Sequence, residues 1–383
     1  MRTVVVASAR RTPIGRFLGS LSEIPAAELG SVAARAALRD AGMPSVDEVV
    51  FGHARQAGNG PNTARQIVRR CGLPDEVPAF TVNQACASGM KSILLGAQAI
   101  ALGSADVVLV GGVESMSRTP YFLDRARTGY RLGHSELVDG MYRDGFLCPL
   151  CGQLMGETAE NLADRYAIPR EEQDRFAVRS QNRCESARKA GRFAEEIEPV
   201  RVGDRILGAD EHPRDGVTLD SLAKLPPVFR KDGTVHAGNS SGITDGGAAL
   251  VLMAEEKAGG IRPLARFVAA SSAGVDPAVM GIGPVPAVRR LEQSTRWPLA
   301  SFDLVEINEA FASQVLACDR ELHFDWERTN VNGGAIALGH PIGATGARVV
   351  VTLLHEMRRR GVRRGLATLC VSGGMGMATA FEA

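Results

Sequence analysis

Two cysteines, a histidine and an asparagine stand where side-chain chemistry is feasible. Cys86 lies in Val-Asn-Gln-Ala-Cys-Ala-Ser-Gly-Met-Lys-Ser, after the strand-like Phe80–Val82 and before a run of small residues. A thiol at a helix N-terminus feels the positive end of the dipole and free N–H groups, and both favour thiolate. Ala85, Ala87, Ser88 and Gly89 leave room for a substrate. The same segment also reads as a buried structural cysteine, the common state of a free thiol. His340 sits among glycines in Gly-Gly-Ala-Ile-Ala-Leu-Gly-His-Pro-Ile-Gly-Ala-Thr-Gly. A nucleophilic thiol needs a base, and histidine is the usual one; a histidine capping the next helix is the alternative. These glycines do not make a phosphate loop, because no Gly-Lys-Ser/Thr follows them.

Cys370 closes an apolar strand before Ser372-Gly373-Gly374, either as a second working thiol or as a core cysteine. A dinucleotide fingerprint is excluded there, since only seven residues follow Gly376 and the helix and strand it needs would not fit. Asn308, after the strand-like Asp303–Ile307, could hold a water or a carbonyl oxygen. It could equally be a helix cap with Glu309 in the first turn. Cys148-Pro-Leu-Cys151 resembles a redox pair or half a zinc site. No second CxxC exists and His134 lacks ligand spacing, so two thiols packing a loop is the plainer reading and no metal site is expected. The arginines of 358–364 read as a solvated helix end, which cations favour.

The elements that position these residues alternate between short apolar runs and helix-like stretches. Val4–Ala7, Val46–Phe51 and Ala105–Val110 read as strands, the last as a buried parallel one; Ala26–Gly42 and Gly89–Gly103 read as helices. The alternation predicts an α/β fold. Residues 117–241 are more polar, with surface helices over Glu157–Ala167 and Glu171–Gly191 and a loop over Asp210–Lys231, and read as an insertion. Strand-like runs resume at Ala248–Met253 and Leu264–Ala270. The order Val82-Asn83, turn, helix, strand, Gly111-Gly112 is echoed by Val331-Asn332, turn, helix Gly346–Arg359, strand Leu366–Val371, Gly373-Gly374. Two half-copies of one unit would build a site between their strand ends, where open α/β sheets bind ligands.

The 383 residues carry 44 Lys and Arg against 43 Asp and Glu, a net charge of +1. That balance predicts no nucleic-acid or anionic-membrane partner. The apolar fraction is 45% and the charged fraction 23%, ordinary for a globular protein of two or three domains. Neither a signal peptide, a run of 18 apolar residues nor a C-terminal targeting tag is read. Seven scattered cysteines suit a reducing compartment, so a cytoplasmic location is expected.

Taken together, four segments resemble the signatures of the thiolase family, in order: Val-Asn-x-x-Cys-Ala-Ser-Gly, Asn-Glu-Ala-Phe, Gly-His-Pro-x-Gly-Ala-x-Gly and Cys-Val-x-Gly-Gly-Met-Gly. The opening Ala-Arg-Arg-Thr-Pro-Ile-Gly, Gly-Gly-Val-Glu-Ser-Met-Ser at 111–117, Met-Gly-Glu-Thr-Ala-Glu-Asn at 155–161 and Ala-Gly-Asn-Ser-Ser-Gly-Ile-Thr-Asp-Gly at 237–246 also fit, so the resemblance spans the chain. It implies a duplicated five-layered α-β-α-β-α fold with an inserted loop domain. The first half would be 1–262, with the loop domain at about 117–241, and the second 263–383. It further implies an acyl-CoA C-acyltransferase and, by analogy, a homo-oligomer, dimer or tetramer, in fatty acid metabolism. No cofactor is implied, since coenzyme A thioesters are themselves the substrates.

By the same resemblance Cys86 is the nucleophile, His340 its base and Cys370 the acid–base at the α-carbon. Asn308 would hold a water for one oxyanion hole with His340, and the N–H groups of Cys86 and Ser372 would form the other. Ser241 would face the pantetheine and Arg214 the nucleotide, while Met155, Met280 and Phe311 would line the acyl pocket. Two residues depart from the family pattern. Ser372 replaces a usual glycine, and Leu154 stands where acetoacetyl-type members carry histidine, which leans toward broader or longer acyl chains. By contrast, Arg-Thr-Gly-Tyr-Arg-Leu-Gly at 127–133 resembles the acetyl-transferring branch. The rivals are a decarboxylating ketoacyl synthase, which would need histidine at Asn308, and a non-catalytic acyl-CoA or lipid carrier, which would be expected to lack Cys86 or His340.

Overall fold

A computed structural model describes residues 1–383. Its main sheet has ten strands. From one edge the order is Leu304–Ile307, Arg364–Val371, Met375–Glu382, Ala265–Gly274, Val4–Arg11, Thr244–Ala254, Val107–Ser115, Glu48–His53 and Ala79–Val82, with Gly15–Arg16 attached to Thr244–Ala254. The predicted repeat is visible in this order. Numbered along the chain, the five strands of the first half lie as 3-2-4-5-1. The second half repeats the pattern, its third strand reduced to a parallel bridge between Thr329 and Val305. The halves join where Val4–Val6 pair with Ala265–Phe267, only three residues long.

Side-chain alternation along the strands explains the layers, because successive residues point to opposite faces. Val4, Val6, Val108, Val110, Leu250 and Leu252 face a central core; Val5, Ala7, Val107, Leu109, Val251 and Met253 face an outer one. The central core holds helices Ser88–Leu102 and Ile342–Arg360, which lie between the two half-sheets. The outer core of the first half is closed by Ala26–Asp40 and Thr63–Arg70. That of the second half is closed by Pro284–Thr295 and Ala312–Leu322. Helix, sheet, helix, sheet, helix makes five layers. Residues 85–102 reach a mean hydropathy of 1.3, and Met90, Ile93, Ala97 and Ile100 spend that apolar character on the central core.

The two central helices cross at reciprocal glycines. A Cβ on Gly89 would lie 2.7 Å from the Ala347 nitrogen, and one on Gly346 would lie 2.5 Å from the Met90 nitrogen. Such backbone contact brings the N-terminal ends of both helices together, and those ends carry Cys86 and His340.

Several expectations need correction. Val107–Ser115 is buried and parallel to Glu48–His53, as expected, but antiparallel to Thr244–Ala254, so the sheet is mixed. The second central helix begins at Ile342, four residues before the expected Gly346. Close packing against the first half offsets the poor helix propensity of Gly343 and Gly346. Within the expected loop 210–231, Thr218 caps a short helix, Leu219–Ala223. The helix Arg170–Lys189 is no mere surface element, since Phe176, Ala177, Cys184 and Ala187 are buried. At the arginine-rich end, Arg359 and Arg360 pair with Glu356, and Arg358 pairs with Glu195.

Candidate active site

Cys86 lies in a single tight turn between Ala79–Val82 and the helix Ser88–Leu102. Asn83 shapes that turn: its Oδ1 accepts from the Ala85 N–H at 2.9 Å and its Nδ2 donates to the Ala54 carbonyl at 3.1 Å. Ser88 Oγ accepts from the Gln84 N–H at 2.9 Å and donates to the Ala85 carbonyl at 2.7 Å. Ala85 is forced to φ +45°, a left-handed conformation that costs an L-residue roughly 1–2 kcal/mol. Such strain is commonly held where a reactive group must be presented.

His340 follows Gly339, whose φ of +99° and contact with Thr244 (2.4 Å from a Cβ) leave no room for a side chain. The His340 N–H donates to the Gly242 carbonyl at 3.1 Å. Its Nδ1 lies 2.6 Å from Thr345 Oγ1, and that hydroxyl donates to the Pro341 carbonyl at 3.0 Å. With its proton so engaged, the hydroxyl accepts from Nδ1–H, which leaves the Nε2 lone pair free. This arrangement excludes the helix-cap role for His340.

Cys370 is the penultimate residue of Arg364–Val371, which is followed by the turn Ser372-Gly373-Gly374. Gly373 and Gly374 have φ of +84° and +82°, and a Cβ on Gly374 would sit 2.3 Å from the Val275 carbonyl. The N–H groups of Ser372 and of Cys86 itself lie near the Cys86 sulfur and favour its anionic form.

Burial governs the protonation of all three groups. It pushes the Cys86 thiol up, and the Ser372 N–H and the Arg55 charge oppose this without reversing it. The pull toward thiolate expected at a helix N-terminus is thus opposed by desolvation. Burial, aided by the charges of Arg348 and Arg55, drives the His340 imidazole down to about 3. Burial and the adjacent Cys86 push the Cys370 thiol well above its usual range. The resting site thus holds two neutral thiols and a neutral imidazole.

Cys86, His340, Cys370 and Ser372 line one cavity of about 500 Å³. Ser241, Arg214, Met155, Met280 and Phe311 line it too, as does Leu154. The Ser241 N–H donates to the Ala310 carbonyl at 2.9 Å, which ties the strand-like 240–242 segment to the Asn308–Phe311 turn. Asn308 is outside the cavity wall. It is fully buried, and neither Oδ1 nor Nδ2 has a protein partner. The helix-cap alternative for Asn308 is corrected, because the next helix starts at Ala312 with Phe311 at its cap. Glu309 is buried instead between Ser180, Asn330 and the Ile336 N–H. Cys148 packs in one cluster with Cys370, Met155 and Met280, with Cys151 at its margin.

Residues 4–256 match the family described as Thiolase, N-terminal domain, and residues 261–383 match Thiolase, C-terminal domain. The chain belongs to the thiolase family. It is 54% identical to an acetyl-CoA acetyltransferase of Pseudomonas aeruginosa, over 99% of this chain and 98% of that protein. An acetyl-CoA acetyltransferase of Cupriavidus necator is 51% identical over the full length of both. Among solved structures, human mitochondrial 3-ketoacyl-CoA thiolase superimposes with a TM-score of 0.97 at 43% identity, over 100% of this chain and 99% of that one.

Several residues lining the thiolase cavity escaped sequence reading: Arg55, Phe146, Val228, Phe229 and His212. Phe229 packs edge-on to Phe311. Of these only Arg55 carried a signal, a charged residue two positions after the apolar strand that ends at His53.

Proposed function

We propose that this thiolase is an acyl-CoA C-acyltransferase, joining two acyl-CoA molecules to a 3-ketoacyl-CoA or cleaving one with free coenzyme A. The observation that carries the reading is the convergence of Cys86, His340 and Cys370 on one cavity. In cleavage, His340 Nε2 accepts the Cys86 proton as the sulfur attacks the 3-keto carbon. Because the imidazole is a weak base and the thiol a weak acid, transfer accompanies attack rather than preceding it. The bond between C2 and C3 breaks and leaves its electron pair on C2. Cys370, kept neutral by burial, donates its proton to that carbon. The His340 proton returns to the Cys370 thiolate, and free coenzyme A then attacks acyl-Cys86, giving its proton to His340, which passes it to the departing Cys86 sulfur. Condensation is the reverse. No cofactor enters these steps.

Charge on the attacked carbonyl oxygen is met by the N–H groups of Cys86 and Ser372. His340 with a water held by Asn308 serves the other thioester oxygen. Asn308→Ala is expected to lower kcat by ~10²–10³, the usual loss for one oxyanion donor, with the change in KM small. Steady-state kinetics in both directions checks this.

Exposed Arg214 and Arg16 suit the coenzyme A phosphates, Ser241 the pantetheine, and Met155, Met280 and Phe311 the acyl chain. With apolar Leu154 and Phe229 beside them, chains longer than acetoacetyl are accepted, which fits a place in fatty acid metabolism. A cytoplasmic location is supported by seven free cysteines, and a division near 262/263 by the repeated strand order. Assembly into a homotetramer is supported by the edge strand Ala79–Val82 with Phe80 exposed, and by exposed Leu123, Tyr130, Leu132 and Leu137. A ketoacyl synthase is disfavoured because Asn308 is not histidine, and a non-catalytic carrier because both Cys86 and His340 are present.

The test is a chain-length series of 3-ketoacyl-CoA thioesters with free coenzyme A. Products two carbons shorter plus acetyl-CoA support the reading, and no cleavage of any chain defeats it.

A further inference from the structure

Arg55 follows the strand Glu48–His53 and lines the cavity beside Cys86, although it is only 7% exposed. Its Nε is buried without a partner, and its guanidinium forms no ion pair. The nearby acid Glu114 lies within electrostatic reach of it but forms no salt bridge with it. That carboxylate is taken by His53 Nε2 at 3.2 Å, the Arg55 backbone N–H at 3.1 Å and the Gly343 N–H at 2.9 Å. A buried cation whose hydrogen bonds go unmade is costly, and arginine cannot shed its proton to escape the cost.

The surrounding fold keeps space for this charge. A Cβ on Gly145 would come 2.7 Å from Arg55 Nε and 2.8 Å from Nη2. Gly145 belongs to a π-helical turn, Tyr142–Phe146, whose Tyr142 and Phe146 line the same cavity. Single π-turns are frequent at functional sites. The phosphates of coenzyme A have other cations, since Arg16 and Arg214 are exposed on the same cavity. Arg55 is instead buried near the nucleophile, among apolar residues that suit an acyl chain.

We propose that Arg55 binds a carboxylate at the far end of the acyl chain, so that the enzyme processes ω-carboxy-3-ketoacyl-CoA thioesters. A guanidinium pairs with a carboxylate through two parallel hydrogen bonds, and a dry cavity strengthens them. The inference rests on the acyl-transfer reading above and names its substrate class.

The experiment measures kcat/KM for thiolysis of 3-ketoadipyl-, 3-ketopimelyl- and 3-ketosuberyl-CoA. Each is paired with the neutral 3-ketoacyl-CoA of equal backbone length. The expected result is that at least one diacid thioester outperforms its neutral partner by about tenfold or more. In Arg55→Leu the ratio of diacid to neutral kcat/KM should fall by about 10²-fold, mostly through KM, the scale on which a buried hydrogen-bonded charge pair loses one partner. Arg55→Lys should restore part of the ratio. Cleavage of neutral thioesters with no diacid preference in the wild type overturns the inference and leaves acyl transfer standing. So does an equal fall for both classes in Arg55→Leu, which would assign Arg55 to Cys86 alone. If neither class is cleaved, the acyl-transfer reading itself fails. The wild-type preference decides the matter even if the leucine variant does not fold.

Discussion

Cys86→Ala protein is expected to take up no acyl group from acetyl-CoA or a 3-ketoacyl-CoA, and its thiolysis should fall by roughly 10⁴–10⁶-fold, as for other lost nucleophiles. The size of the effect follows from the site. Cys370 is the other thiol in the cavity, and it is 1% exposed and pushed further from thiolate than an ordinary cysteine. A substitute nucleophile is therefore absent. Mass spectrometry of the intact protein after mixing with acyl-CoA reads the covalent adduct directly. An undiminished adduct on the alanine variant would remove Cys86 from the mechanism. The substitution takes away one sulfur from a wall that is already cavity, so the fold should survive, which circular dichroism checks.

Cys370→Ala should separate the two half-reactions. Acylation of Cys86 from acetyl-CoA uses only Cys86, His340 and the oxyanion donors, so the adduct should form nearly as in the wild type. Proton exchange at the α-carbon should fall by ~10²–10⁴-fold, the range for a lost general acid or base, and overall turnover should fall with it. Deuterium uptake into the methyl group of acetyl-CoA in heavy water measures the step. Exchange at the wild-type rate would assign the proton to another group, and failure to acylate would show that Cys370 supports Cys86 instead. The raised pKa of Cys370 is consistent with a proton donor that stays loaded at neutral pH until a carbanion is formed beside it.

The chain announces its reactive residues more clearly than its electrostatics. Cys86, His340 and Cys370 each stand beside glycines or small residues, and the structure brings them to one cavity. The strand alternation of Val4–Val6 and the echo after Val82 and Val331 also carried over into the layers. What a linear reading could not supply is depth. A helix N-terminus suggests thiolate for Cys86, but only the packed fold reveals the desolvation that opposes it. The start of the helix at Ile342 was hidden because Gly343 and Gly346 are poor helix formers held by contacts with Val113 and Met90, far away in sequence. Arg55 was passed over because its importance lies in a missing partner, a property of its surroundings in space.

The short seam between Val4–Val6 and Ala265–Phe267 bears on how the chemistry is assembled. One repeat contributes the attacking sulfur, and the other contributes the imidazole, the second thiol and the Ser372 amide. A polypeptide severed between 256 and 261 would yield two chemically silent pieces, each with a glycine-lined helix lacking its mate. Turnover would then report only docked pairs, which makes catalysis itself a gauge of how well the duplicated units recognise each other.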